Sequence, residues 1–122
     1  MMEKDKRIRV LVVDDSLFMR EFIASELSKD SGLVVVGKAA DPFEASEKIM
    51  ELNPDVMMLD IQMPRVDGIE FLRQLMSQHP LPVVVVSAVS SNVFDALNAG
   101  AVDFITKTEL KTDGEKRQFI SE

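Results

Sequence analysis

The chain contains no cysteine, tryptophan or tyrosine, and a single histidine. The absence of cysteine excludes disulfides, thiolate metal sites, iron–sulfur clusters and thiol nucleophiles. One imidazole, His79, cannot build a histidine zinc site or a relay that needs a second ring, and its place in a polar turn before Pro80 reads as solvated. Seven phenylalanines are the whole aromatic content, too few for a base-stacking platform. The five glycines form neither a phosphate-cradling loop nor a dinucleotide fingerprint. Positive charge is short as well. Fourteen Lys and Arg stand against 21 Asp and Glu, and the net charge of −7 opposes binding to nucleic-acid backbones and anionic membranes. No apolar run approaches the roughly 18 residues of a membrane span. The charged start, Met1 to Arg7, lacks a secretory pattern, so the expected compartment is the cytoplasm. Carboxylates, hydroxyls and amines are what remain for chemistry.

At 122 residues, 46% hydrophobic and 29% charged, the chain is sized and composed as one globular domain, without repeats or low-complexity linkers. Short apolar runs alternate with amphipathic stretches. The runs are 8–13, 33–36, 56–59, 83–86 and 102–105, rich in β-branched residues and without polar alternation. Such runs suit strands covered on both faces, as in a parallel sheet. Between them apolar residues recur at helical spacing. Phe18, Phe22, Ile23 and Leu27 follow Ser16 as N-cap; Phe43, Ala45, Ile49, Met50 and Leu52 follow Asp41-Pro42. A third helix starts near Gly68 with Ile69, Phe71, Leu72, Leu75 and Met76, and a shorter fourth carries Val93, Phe94, Ala96 and Leu97 before Ala99-Gly100. Five βα units of about 24 residues each predict an α/β fold: a flavodoxin-like, doubly wound, five-stranded parallel sheet of order 2-1-3-4-5 with helices on both faces.

In open α/β sheets ligands sit beyond the carboxyl ends of the strands. Asp14 and Asp15 follow the first run, Asp60 the third and Ser87 the fourth, and Lys107 stands two residues past Ile105. Alone, each has a bland reading: a turn or cap for Asp-Asp, a cap for Ser87, a solvated surface amine for Lys107. Together, at four strand ends, they make a site. Three converging carboxylates repel one another unless a hard cation joins them, and Mg²⁺ takes carboxylates together with carbonyl, water and phosphate oxygens. Aspartate, Mg²⁺, lysine and hydroxyl together suit phosphoryl transfer with the carboxylate as nucleophile. The eight methionines fall mostly at core spacing, and Lys4, Lys6 and Arg7 read as a solubilising tail.

The segments Val12-Val13-Asp14-Asp15-Ser16, Leu59-Asp60-Ile61-Gln62-Met63-Pro64, Asp67-Gly68, Ser87-Ala88 and Lys107 together resemble the receiver domain of two-component response regulators, over about residues 7–107. The resemblance implies that Asp60 accepts a phosphoryl group from a histidine kinase. It implies that Asp15 binds Mg²⁺ directly, that Asp14 assists through water and that the Gln62 backbone carbonyl completes the protein ligands. Lys107 then pairs with phosphoryl oxygens, Ser87 swings in to hydrogen-bond them, and Phe104 takes the switch position, repacking a face of helix four, strand five and helix five that meets an output domain or target protein. Gln62 and Val89 flank the phosphoryl site. Residues 63–72, 81–87 and 100–104 more narrowly resemble the receiver of chemotaxis protein-glutamate methylesterases. There the receiver restrains a C-terminal esterase domain. Any methylesterase activity would lie in such a domain, and the chemistry expected here is self-phosphorylation and self-dephosphorylation within a phosphorelay.

Two features depart from a simple reading. The family places Lys-Pro after strand five, whereas Thr108 follows Lys107, so the expectation is either a trans bond with a rearranged Lys107 loop or a cis bond held by strain. The chain is expected to be one domain over 1–122, with a core at about 7–107 and a fifth helix, short or cut, near 113–122 behind Thr112 or Asp113. The alternatives are a stand-alone chemotaxis-type receiver, a Mg²⁺-dependent aspartyl-phosphate phosphatase or transferase, a receiver-like module that takes no phosphate, and a flavodoxin-type cofactor binder. Gln62, where the phosphatases need a second acid, speaks against the second; the intact acids speak against the third and fourth.

Overall fold

A computed structural model of the protein describes residues 6–88 and 92–109. In chain order the elements are β1 (Ile8–Val13), α1 (Leu17–Ser28), β2 (Leu33–Ala39), α2 (Pro42–Leu52), β3 (Val56–Asp60), β4 (Gln62–Met63), β5 (Val66–Asp67), α3 (Gly68–Gln78), β6 (Val83–Ser87), α4 (Val93–Asn98) and β7 (Asp103–Thr106). Residues 107–109 are helical. Five strands form one parallel sheet in the order β2-β1-β3-β6-β7. This is the expected 2-1-3-4-5 order. The strand numbers differ because a two-stranded antiparallel hairpin, β4–β5, stands between β3 and α3. The fifth helix expected near 113–122 lies outside the described residues.

The pleat sends alternate residues of each strand into two cores. On β1, Val10 and Val12 join Met19 and Ile23 of α1, while Leu11 and Val13 join Ala45 and Ile49 of α2 and Leu72 and Leu75 of α3. Coverage on both faces therefore holds for the central strands β1, β3 and β6. The edge strands β2 and β7 are mostly half-buried, because each has only one neighbouring strand. β2 also runs on through Gly37, Lys38 and Ala39, beyond the apolar run that announced it.

Not every apolar residue in the helical patterns faces inward. Phe18, Phe43, Met50 and Phe94 are exposed, Phe43 by 84%. Residues two apart on a helix point about 200° from each other, so a helix that buries Ala45 turns Phe43 outward, and one that buries Ala96 turns Phe94 outward. Met50 follows Phe43 by seven positions and shares its face. Val102, expected in the last strand, precedes β7 and is exposed too.

α1 and α2 carry the expected N-caps, Asp67 caps α3 as well, and Asn92 at the start of α4 makes no side-chain capping bond. Ser16 Oγ accepts from the Met19 N–H, Asp41 Oδ1 from the Glu44 N–H, and Asp67 Oδ1 from the Ile69 and Glu70 N–H groups. Arg9, on β1, donates from Nη1 to the carbonyls of Leu52 and Asn53 at 2.7 and 2.9 Å, closing the C-terminus of α2. Gly100, at φ +117°, ends α4 where a side chain would be strained and would meet Met76.

Candidate functional site

The site lies at the carboxyl edge of β1, β3, β6 and β7. β1 ends at Val13, and Asp14 continues the sheet by donating its N–H to the Ala39 carbonyl at 3.0 Å. Asp14 is fully buried, with Oδ1 accepting from the Ser16 N–H at 2.9 Å. Arg20 reaches back from α1 and donates from Nη1 to the Asp14 carbonyl oxygen at 2.8 Å, tying the loop to the helix. Asp15, the next residue, is exposed.

β3 ends on Asp60, which is 1% exposed. Its Oδ1 accepts from the Gln62 N–H at 2.9 Å. Opposite Asp60 in the register stands Val86, and the following residue, Ser87, is fully buried. Ser87 pairs with Thr106 across β6–β7, which brings Lys107 to the same edge. Lys107 Nζ stands 3.2 Å from Asp14 Oδ2 and 3.5 Å from Asp60 Oδ2. Its peptide bond to Thr108 is trans, not the strained cis alternative. A capping box orients this turn: the Glu109 N–H donates to Thr106 Oγ1 and the Thr106 N–H donates to Glu109 Oε2, both at 3.1 Å.

Burial pushes the Asp60 carboxyl up to about 6, from 3.8. The Gln62 N–H works against that rise, Asp14 adds to it, Lys107 opposes it and Asp15 adds slightly more. Asp60 therefore needs a further positive charge to stay ionised through the acid range. The oxygens Asp14 Oδ2 and Asp60 Oδ2 are buried with no aligned hydrogen-bond partner, despite the nearby ammonium. Buried carboxylate oxygens left so are costly, and a cation between them would satisfy both. One ligand oxygen from each of Asp14, Asp15 and Asp60 lies within 4.8 Å of the other two. Octahedral Mg²⁺ at about 2.1 Å separates its ligands by roughly 3–4 Å, so a small inward movement fits the ion.

The remaining expected residues take separate places. Gln62 is exposed at the start of β4, and its side-chain Oε1 accepts from the Ala88 N–H at 3.1 Å. Phe104, on β7 opposite Val85, is half-buried against the core cluster that includes Ala96 of α4. Val89 lies outside the described residues. Sequence reasoning missed Arg20, the Thr106–Glu109 box and the tight seat of Gly68, where a Cβ would come within 2.5 Å of Ile61 Cα. The Thr-x-x-Glu spacing from Thr106 to Glu109 was the available signal for the second.

A family profile described as "Response regulator receiver domain" matches residues 10–117. The chain is 52% identical over 117 residues to a protein-glutamate methylesterase/protein-glutamine glutaminase of Syntrophomonas wolfei, covering 96% of this chain and 34% of that one. It thus spans about a third of the length of that curated relative. Among solved structures it is similar to the response regulator domain of Thermotoga maritima CheB, with a TM-score of 0.77 and 47% identity over 83% of this chain and 78% of that one. It is also similar to a chain in the CheX–CheY–BeF₃–Mg²⁺ complex of Borrelia burgdorferi, with a TM-score of 0.73 and 35% identity over 82% of this chain and 78% of that one.

Proposed function

This chain belongs to the response regulator receiver family, and we propose that it takes a phosphoryl group from a histidine kinase onto Asp60 and thereby switches a partner-binding face. The observation that carries this reading is the placement of Asp60: a buried carboxylate that shares the Lys107 ammonium with Asp14, with Oδ2 unmatched by any hydrogen bond. An Asp60 oxygen attacks phosphorus, a P–O bond forms, and the P–N bond of the phosphohistidine breaks with its electron pair returning to the imidazole. Asp15, Asp60 and the Gln62 backbone carbonyl would hold Mg²⁺, with Asp14 assisting through water. When bound, the ion offsets charge on the transferred oxygens. Lys107 takes part of the same charge from the other side.

Ser87 stands one residue past the Asp60 register and can hydrogen-bond a phosphoryl oxygen by turning toward the edge. Its movement alters the space available to Phe104, two strand residues before the Thr106 that pairs with Ser87. The face of α4, β7 and the expected fifth helix then repacks. Phe94, Leu97 and Val102 expose apolar surface there, which suits an output domain or target protein. The similarity to protein-glutamate methylesterases favours a catalytic domain of that type as the partner, with this chain as its regulatory domain in the cytoplasm. Among the described residues, no helix is long and apolar enough to cross a membrane.

Radiolabelled acetyl phosphate with Mg²⁺ tests the acceptor. Label on the wild type that disappears in Asp60→Asn supports the reading; undiminished label in that variant overturns it.

A further inference from the structure

Gln62 holds both sides of the site at once. Its backbone N–H donates to Asp60 Oδ1 at 2.9 Å, and its side-chain oxygen accepts from the Ala88 N–H at 3.1 Å. The second contact joins residues 26 apart in the chain. They meet because β3 and β6 are neighbours with Asp60 opposite Val86, so Gln62 and Ala88 leave the sheet side by side. Both residues are exposed, and the glutamine side chain fills no core space. Ordering an exposed glutamine costs rotamer freedom, and what offsets that cost is the hydrogen bond itself.

The Ala88 N–H is also a donor that an anion on Asp60 would seek. It follows directly on the buried Ser87, at the edge where the acidic residues converge. Resting on Asp60 as phosphoacceptor, we infer that the Gln62 side chain is a latch: it occupies the Ala88 N–H while Asp60 is unmodified and must release it when a phosphoryl oxygen competes. Gln62 is then a positioning residue acting through Ala88. A hydrogen bond to a charged oxygen is roughly twice as strong as one to a neutral amide, so the exchange favours the phosphoryl group. The latch still subtracts its own strength from phosphoryl affinity, and it biases the Ser87–Ala88 end of β6 toward the resting arrangement. It makes that arrangement depend on a residue of the acceptor loop rather than on β6 alone.

The test uses the ¹⁵N-labelled chain at saturating Mg²⁺, titrated with the phosphoryl mimic fluoroberyllate, as wild type, Gln62→Leu and Gln62→Glu. In the resting state Gln62→Leu should give the Ala88 amide a steeper temperature coefficient, the signature of a lost hydrogen bond. Gln62→Glu, which keeps an acceptor at that reach, should retain the wild-type coefficient. Gln62→Leu should also bind fluoroberyllate about two- to tenfold more tightly, the net worth of one such bond. An unchanged Ala88 coefficient in Gln62→Leu, or fluoroberyllate affinity no tighter than wild type, overturns the latch while leaving Asp60 as acceptor. A wild type that does not bind fluoroberyllate overturns the acceptor reading and the latch with it. Should Gln62→Leu fail to fold, Gln62→Asn, one methylene too short to reach Ala88, carries the same expectations.

Discussion

Gly68 is seated directly on Ile61: a Cβ on this glycine would lie 2.5 Å from the Ile61 Cα and 2.6 Å from its carbonyl oxygen. The first turn of α3 therefore presses on the residue between Asp60 and Gln62. The contact is backbone against backbone, so no side-chain rotation relieves it. Gly68 sets where the segment from Asp60 to Gln62 runs.

Gly68→Ala should accordingly cost about 1–3 kcal/mol of stability, the usual range for overpacking. It should also weaken Mg²⁺ binding, because the displaced segment carries both Asp60 and the Gln62 carbonyl. Urea unfolding followed by far-UV circular dichroism reads the first effect, a suitable probe in a chain without Trp or Tyr. Isothermal titration with MgCl₂ reads the second. Wild-type metal affinity in a destabilised variant would show that the loop does not depend on this contact.

Asp60 gives the metal-free protein a specific pH dependence. In the fold its carboxyl keeps a proton up to about pH 6, whereas its ordinary value is 3.8. Between those values the folded state binds more protons than the unfolded state, so this residue lowers stability as pH rises through the window. Asp60→Asn should match wild type near pH 3.8 and exceed it above about pH 6 by up to roughly 3 kcal/mol, the equivalent of that difference. Urea midpoints in EDTA at both ends of the range test this. A gap that stays constant with pH contradicts it.

Lys107 opposes the rise of the Asp60 carboxyl from 3.5 Å away. Replacing it with methionine should move the Asp60 titration above about 6, because burial, Asp14 and Asp15 then act with one opponent fewer. Carboxyl ¹³C chemical shifts of the metal-free variant follow this directly. A titration at or below the wild-type position would mean that the ammonium does not hold this place in solution.

The Thr106–Glu109 box should contribute the stability of an ordinary N-cap. Thr106→Ala leaves the Glu109 N–H without its acceptor and should cost about 0.5–2 kcal/mol. Thermal unfolding monitored at 222 nm measures it. Because Lys107 is the first residue behind that cap, the variant's phosphorylation rate should fall as well. Stability lost with the rate unchanged would separate the cap from the lysine's position.

Mg²⁺ should stabilise the fold by mass action, by about 2.7 kcal/mol at a hundredfold excess over its Kd. Asp15→Asn should lose most of this gain while remaining close to wild type without metal, since Asp15 is exposed and outside both cores. Melting curves with MgCl₂ and with EDTA decide the matter.

The sheet was readable along the chain because its strands are short and mostly apolar and alternate with amphipathic helices, which local chemistry decides; their order followed from the handedness of βα crossovers. The same logic named the acids: a carboxylate or hydroxyl directly after a buried strand must emerge at its carboxyl edge. Sequence patterning failed where burial depends on angle and neighbours. Phe43 and Phe94 count as apolar in any periodicity, yet Ala45 and Ala96 occupy the buried face and turn both rings to solvent. Adjacent Asp14 and Asp15 look alike in one dimension, but one is sealed beneath Lys107 and the other is open.

Residue types, their order and the strand-end positions of Asp14, Asp15, Asp60, Ser87 and Lys107 are properties of the one-dimensional chain, because they follow from local turn and strand preferences. Tertiary packing alone decided that two carboxylate oxygens are buried without aligned partners and that burial outweighs the Gln62 and Lys107 contributions at Asp60. It alone joined Gln62 to Ala88 and Gly68 to Ile61. Desolvation and long-range hydrogen bonds depend on which segments meet in space, and their partners leave no periodic trace in the sequence.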